Sequence, residues 1–182
     1  AHHALRGEVW DKVRAYGRQA GEKALARSAH REAVGYFEQA LMALEHLPER
    51  RDTLEQAIHL RLALRYQLNS LGELGRMLDC LREAETLAQN LDDPEPLGVI
   101  SSYMSEYFWV TGDLDHAIAA GQRALMTARG LGDVALQARA HRALGYAYHA
   151  AGDYHRALEL FRRTMGSLAG DRVRAHFSLT RL

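Results

Sequence analysis

The fold is decided by residues 139–170, whose sequence is RAHRALGYAYHAAGDYHRALELFRRTMGSLAG. Gly152 divides this stretch into two segments in which apolar residues recur every three or four positions, the spacing of one helix face. A glycine can adopt positive φ and end a helix, and the aspartate that follows it, Asp153, can cap the next one. The stretch therefore predicts two helices joined by a tight turn.

This hairpin pattern recurs along the chain with a period of 40 residues. A glycine occupies each predicted turn, and five residues later comes a side chain that is expected to lie between the two helices. The turn glycines are Gly72, Gly112 and Gly152, and the residues between the helices are Met77, Ala117 and Ala157. An earlier unit, displaced by 44 residues, aligns Gly21 and Phe37 with Gly145 and Phe161, but its turn at 28–30 has no glycine.

The composition predicts an all-α protein. Alanine and leucine dominate, valine, isoleucine and threonine are scarce, and all three prolines lie between the periodic segments. Asp52 with Glu55 has the spacing of a capping box, and Asp93 followed by Pro94 is a typical helix start. The predicted helices span 6–27, 30–46, 52–70, 74–91, 94–111, 114–130, 134–151, 154–168 and 172–181.

Residues 139–170 resemble a tetratricopeptide repeat (TPR), and the other units resemble it less closely. The matching residues are Leu144, Gly145, Tyr148, Gly152, Tyr154, Ala157 and Phe161. Ser105 and Arg65 replace the first-helix glycine in two units, Gly121 replaces the large aromatic residue in one, and the period exceeds the usual 34 residues. The resemblance implies a right-handed α-α superhelix, a TPR-like solenoid of about four hairpins plus a terminal helix. It would form a single array over 1–182, with units near 14–47, 52–91, 94–131 and 134–170 and the terminal helix at 172–181.

The long units also resemble the C-terminal TPR region of bacterial multidomain adenylate/guanylate cyclase–AAA proteins, the signal-transduction ATPases. Two segments carry this resemblance: AHHALRGEVW at 1–10 is similar to the junction after an ATPase module, and REAVGYFEQAL at 31–41 is similar to the first repeat there. The resemblance implies a regulatory segment of a larger bacterial signalling protein. The chain has no Gly-x-x-x-x-Gly-Lys-Ser/Thr loop, so no nucleotide-binding residues are carried over and no cofactor is expected.

Charge and hydropathy argue against two classes of partner. Lysine plus arginine equals aspartate plus glutamate at 23 each, so there is no basic excess to bind a phosphate backbone, and we expect no nucleic-acid partner. No apolar run reaches 18 residues and the first residues lack the pattern of a signal peptide, so we expect no membrane association. The single cysteine, Cys80, fits a reducing compartment, and we expect a cytoplasmic protein.

The TPR resemblance implies a concave groove that is lined by the first helix of each unit and that holds a protein or peptide partner. Residues at i, i+3, i+7 and i+10 share a helix face, and Tyr, Trp and Arg are favoured in binding surfaces. The predicted groove residues are His59, Leu62, Tyr66, Asn69, Ser102, Glu106, Trp109, Arg139, Arg142, Tyr146 and His149. Alternatively, the three aromatic residues of this set pack against the next unit.

No catalytic or metal-binding residues are predicted. His141 and His149 are two helical turns apart, about 12 Å, which is too far to share one metal ion. We expect both histidines to lie on the surface or in the groove. Cys80 lies mid-helix beside Leu78 and Leu81 and is expected to pack as a small apolar side chain.

The leading hypothesis is a protein-interaction scaffold that is not an enzyme, and two alternatives stay open. A ligand- or peptide-sensing domain that controls an attached ATPase or cyclase would need a deep pocket around Tyr66, Trp109, Arg142 and Tyr146. A self-association module would form homo-oligomers through the terminal helices. There the apolar residues Val173, Phe177, Leu179 and Leu182 are expected to be partly uncovered.

Overall fold

The computed structural model describes the backbone of residues 2–169 and the side chains of residues 9–165. This part of the chain contains eight α-helices joined by short turns, and none of its residues lies in a β-strand. The helices are α1 His2–Ala26, α2 His30–Glu45, α3 Arg51–Ser70, α4 Leu74–Asn90, α5 Pro94–Thr111, α6 Leu114–Leu131, α7 Val134–Ala150 and α8 Tyr154–Ala169. The all-α prediction is confirmed. The predicted helix at 172–181 and its apolar residues lie outside the described residues.

The predicted helix bounds agree with the structure to within one residue, except at the start of α1. The agreement follows from the turn chemistry. Gly72, Gly112 and Gly152 have φ values of 74°, 85° and 83°, the left-handed conformation that ends a helix at little cost for glycine. Asp113 and Asp153 then cap the following helices, accepting hydrogen bonds from the backbone amides two or three residues inside each helix.

The first hairpin turn takes the same conformation without a glycine. Ser28 adopts a φ of 56°, so this turn retains the left-handed residue although a side chain makes it less favourable. The amide of Ala29 donates to the carbonyl of Ala24 at 2.9 Å. Equivalent hydrogen bonds close the glycine turns, where the amides of Asp113 and Asp153 donate to the carbonyls of Phe108 and Tyr148.

The predicted capping box of Asp52 and Glu55 is wrong. The cap of α3 is at Arg50, and the backbone amide of Arg50 donates to the hydroxyl of Thr53 at 2.8 Å. Glu55 instead pairs with Arg51 one turn away, at 2.7 Å. The predicted start of α5 is confirmed, because Asp93 accepts from the amide of Glu95 at 3.1 Å and Pro94 takes the first helical position.

The chain divides into two compact units, Ala1–Leu91 and Asp92–Leu182. In the first unit, α1 packs on α2, α2 on α3, and α3 on α4. In the second unit, α5 packs on α6, α6 on α7, and α7 on α8, while α5 also contacts α7 directly. A single continuous array over 1–182 stays a prediction.

A glycine and a phenylalanine hold the two helices of a hairpin together in each unit. A Cβ atom at Gly21 would lie 2.4 Å from the ring of Phe37, and one at Gly145 would lie 2.5 Å from the ring of Phe161. Each ring therefore lies directly against the backbone of the first helix. The correspondence predicted from the sequence between these two pairs is confirmed.

The hairpin of α5 and α6 reverses this arrangement. Ser105 stands where the first-helix glycine would be, and its hydroxyl donates to the carbonyl of Ala117 at 2.7 Å. Gly121 stands where the phenylalanine would be. The space beside Gly121 is occupied by Leu144 of α7, because a Cβ atom there would meet the leucine side chain at 2.7 Å. A residue from the next hairpin thus completes the core of this one.

Candidate partner-binding face

Three side-chain pairs join α5 to α7 within the second unit. Each pair takes one residue from each helix, 36 or 37 positions apart in the sequence. The two helices belong to successive hairpins, so the pairs form a row across the junction of the two. The pairs are Tyr103–Arg139, Glu106–Arg142 and Trp109–Tyr146. We refer to these six residues as the α5–α7 face.

Arg139 and Arg142 are both held by partners on α5. The guanidinium of Arg139 lies 4.9 Å from the centre of the Tyr103 ring and also donates a hydrogen bond to its hydroxyl. Arg142 forms an ion pair with Glu106, in which the arginine side chain is largely exposed and the glutamate side chain is mostly covered. An exposed pair of this kind contributes about 0–1 kcal/mol to stability, so its main effect is to fix the position of the guanidinium.

The aromatic end of the face is more extensively packed. The rings of Trp109 and Tyr146 stack with centroids 4.8 Å apart and planes at 16°. Phe161 of α8 meets Tyr146 edge-on, at 5.4 Å and 63°. Tyr146 still keeps 36% of its surface exposed. The three rings therefore connect α5, α7 and α8, and they leave part of the central ring open to solvent.

The structure brings together five of the predicted groove residues, and it contradicts one. Glu106, Trp109, Arg139, Arg142 and Tyr146 lie in the row described above. Ser102 was predicted to line the groove, but this prediction is wrong because the side chain is fully buried. The Ser102 hydroxyl donates to the carbonyl of Val99 within α5, at 2.7 Å.

Sequence reasoning missed Tyr103. The stripe chosen on α5 started at Val99 and therefore took Ser102, one position before the tyrosine. Tyr103 precedes Glu106 by three residues, and both stand 36 positions before their partners Arg139 and Arg142. This constant offset between the two helices is the signal that identifies Tyr103.

The remaining predicted groove residues lie elsewhere. On α3, in the first unit, His59, Tyr66 and Asn69 are exposed and Leu62 is half-buried. Tyr66 exposes 56% of its surface, although tyrosine is a large amphipathic side chain. His149 of α7 is exposed and meets the ring of Tyr154 edge-on at 5.3 Å.

His141 is not on the surface or in a groove, so that prediction is wrong. Its ring is 6% exposed, and neither ring nitrogen has a hydrogen-bond partner among the described residues. Burial, reinforced by the positive charges of Arg163 and Arg129, holds the pKa of His141 below its usual 6.5.

Cys80 is half-buried, and burial is the main reason that the pKa of its thiol rises to about 11. Within residues 2–169, no group of three histidine, cysteine, aspartate or glutamate side chains is arranged to hold a metal ion. None of the helices described is both long enough and apolar enough to cross a membrane.

Comparisons with known proteins agree with the architecture. A model of the tetratricopeptide repeat family matches residues 140–172. No curated protein matches the sequence. The solved structures show the TPR-like fold at low sequence identity, and three of them are described below.

Nearly identical TPR-like repeats from a Podosopora anserina protein described as a kinesin light chain superpose with a TM-score of 0.65. They share 14% identity, over 86% of this chain and 75% of that one. Aspartyl phosphate phosphatase F from Bacillus subtilis superposes with a TM-score of 0.77 and 16% identity, over 93% of this chain and 45% of that one. BtubC from P. vanneervenii gives 0.53 and 18%, over 100% and 92%. At these identities the likeness establishes the fold alone.

Proposed function

We propose that the chain is a protein-interaction module and that the α5–α7 face is its partner-binding surface. The Trp109–Tyr146 stack is the observation that carries this proposal. Aromatic side chains contribute most strongly to binding when they are already ordered and still partly exposed, because little conformational entropy is lost when a partner arrives. Both rings are fixed by each other, and Tyr146 is also supported by Phe161 from the opposite side of α7.

The chemistry of the face defines the partner. The aromatic pair offers an apolar contact at one end, and two arginines against one glutamate give the other end a net positive charge. A guanidinium has five N–H donors, so Arg142 can hold Glu106 and a further carboxylate together. We infer that the partner is a protein segment that carries an apolar side chain about one helical turn or a few extended residues from an acidic one.

The exposed face of α3, formed by His59, Leu62, Tyr66 and Asn69, is proposed as a separate contact surface of the first unit. Tyrosine is enriched in binding surfaces because it combines a large contact area with a hydroxyl and few rotatable bonds. Tyr66 has both its ring and its hydroxyl available for such contacts.

The sensing alternative is less well supported. A small effector would have to insert between aromatic residues, but Trp109 and Tyr146 already occupy each other's ring faces. A protein segment can instead lie across the exposed edges of the two rings without separating them. The geometry therefore favours a protein or peptide partner over a small molecule.

Self-association is a second candidate function, and α8 provides the observation that favours it. Tyr154, Leu158 and Met165 are exposed along one side of this helix. One period earlier, in α6, the residues equivalent to the last two are the half-buried Ile118 and Leu125. Sedimentation of the chain over a range of concentrations tests this function. A mass that increases with concentration and becomes constant in Leu158→Asp supports it, and a constant monomer removes it.

The wider setting is also proposed rather than established. The resemblance to cyclase–AAA proteins supports a regulatory, non-catalytic role for this segment in the cytoplasm, as part of a larger bacterial signalling protein. A partner bound at the α5–α7 face would then control an attached ATPase or cyclase.

The test of the main proposal uses the 182-residue chain as bait, with single substitutions. Proteins captured from lysate are identified, produced separately and titrated against each variant, after circular dichroism has verified the helical content. Trp109→Ala and Tyr146→Ala should each weaken binding at least about tenfold, as expected for central interface aromatics. Met126→Ala, at a 72% exposed apolar residue of α6, is the matched control and should have little effect. Equal affinities for all variants would place the binding surface elsewhere.

A further inference from the structure

His141 is a histidine that the structure buries without a polar partner. It lies four residues before Gly145, the residue of α7 against which Phe161 of α8 packs. Residues four apart share a helix face, so the ring of His141 lies on the side of α7 that α8 covers. A buried imidazole whose two nitrogens make no hydrogen bond is unusual, because each such group loses its interactions with water.

The charged groups around this ring are cationic. Arg163 approaches from α8, where it also pairs with Glu159, and Arg129 approaches from α6. The third helix packed on α7 is α5, whose charged residue at this junction is Glu106, and Glu106 pairs with Arg142 on a different side of α7. Protonated His141 would therefore lie near two arginines, and the described contacts give it no carboxylate.

The equivalent position in the first unit carries the opposite arrangement. Arg61 of α3 and Glu83 of α4 form an ion pair at 2.8 Å between the two helices of a hairpin. Twice the 40-residue period later, the same two positions are His141 of α7 and Arg163 of α8. An attractive pair has thus been replaced by a pair that is neutral at high pH and repulsive once the histidine is protonated.

We propose that His141 is an acid-operated release for α8: protonation of the buried ring detaches α8 from α7 while α5, α6 and α7 remain folded. Detachment allows the imidazolium to be hydrated and separates it from Arg163. Among the described helices, α8 has its principal contacts with α7 alone, whereas α7 also packs on α5 and α6. Release of α8 therefore costs less than opening the rest of the unit.

The direction of the pH dependence follows from the buried state of the ring. Above pH 6.5 His141 is neutral whether α8 is docked or detached, so docking is unaffected. Below pH 6.5 the detached form binds a proton more readily than the docked form, because burial holds the docked pKa lower. The equilibrium then shifts towards detachment by up to about tenfold per pH unit, until the pH reaches the docked pKa.

Hydrogen exchange of the whole chain tests this proposal. Protection factors, which remove the intrinsic pH dependence of exchange, are measured by mass spectrometry between about pH 8 and pH 5. We expect the protection of α8 to fall across this range while that of α5 and α6 stays constant. In the Trp10→Phe background, Trp109 is the one remaining tryptophan, and its fluorescence should change over the same range because Phe161 leaves Tyr146.

Three variants make the test specific. His141→Leu should remove the acid-dependent loss of protection in α8. Arg163→Glu restores the charge pattern of Arg61–Glu83 and should reduce this loss, and it provides an independent test if the leucine variant does not fold. His155→Leu, at an exposed histidine of α8, is the matched control and should behave as the parent chain does.

Two outcomes would overturn the proposal. One is an acid-dependent loss in α8 that persists in His141→Leu or is unchanged in Arg163→Glu. The other is a simultaneous loss of protection in α5, α6 and α8, which would mean that the unit opens as a whole. Neither readout requires a binding partner, so failure here is distinct from failure of the proposed interaction function.

Discussion

Trp109 and Tyr146 lie on helices of successive hairpins, and their rings stack with centroids 4.8 Å apart. This contact combines two hypotheses that the sequence set against each other. Trp109 packs against the next hairpin, as a structural role would require, while Tyr146 keeps the exposure that a binding role requires. The same pair can therefore stabilise the second unit and present a surface to a partner.

The stack should be measurable as a coupling energy. A double-mutant cycle of Trp109→Ala and Tyr146→Ala, followed by urea unfolding, should give about 0.5–1.5 kcal/mol of interaction beyond the sum of the single changes. Trp109→Ala combined with Tyr16→Ala, an exposed tyrosine of the first unit, should be additive. A coupling near zero for the stacked pair would show that the rings do not support each other.

Gly145 should tolerate a methyl group poorly. Gly145→Ala places a Cβ atom where the Phe161 ring lies, so we expect it to lower the free energy of unfolding by about 1–3 kcal/mol. Gly130→Ala in α6 meets no atom within 4 Å and should stabilise by about 0.5–1 kcal/mol, because alanine favours helix. Thermal and urea unfolding of both variants checks this, and equal effects would contradict the close contact.

The two kinds of turn should respond oppositely to substitution. Ser28→Gly should raise the free energy of unfolding by about 0.5–1 kcal/mol, because glycine adopts the observed φ of 56° without steric cost. Gly152→Ala should lower it by about 1 kcal/mol, since the cost is conformational and no neighbouring atom obstructs the new Cβ atom. Urea denaturation measures both changes, and a loss of stability in Ser28→Gly would refute the first.

Cys80 should be slow to react with thiol reagents. Its pKa of about 11 lies two units above the reference value of 9.0, so the thiolate fraction at pH 8 is about 100-fold lower than for an unperturbed thiol. The control is Met126→Cys in a Cys80→Ser background, which places a thiol at an exposed position of α6. Comparable rates of disulfide exchange for the two proteins would show that Cys80 is accessible and ionised.

Local chemistry made most of the fold predictable from the sequence. Gly72, Gly112 and Gly152 fix where helices end, and Asp113 and Asp153 fix where the next ones begin, so the bounds follow from positions a few residues apart. The error at Asp52 has the same origin: Thr53 competes for the backbone amide of Arg50, and the pattern alone does not show which side chain succeeds.

The candidate site was less predictable because it depends on how two helices are aligned. A stripe drawn on α5 alone selected the buried Ser102 and omitted Tyr103, whereas the contacts with α7 decide which side of the helix is open. The burial of His141 was missed for a similar reason. Its position in the sequence is that of an ordinary polar residue, and only the packing of α8 makes it a core residue.

Leu144 has a consequence for how the protein is made. The ribosome releases α5 and α6 before α7, yet the hollow beside Gly121 is filled by the leucine of α7. The third hairpin must therefore wait with an incomplete interior until some twenty further residues have been synthesised. A nascent chain that pauses just after α6 would expose this hollow, and for that interval the growing protein would depend on slow aggregation or on a chaperone to reach its native state.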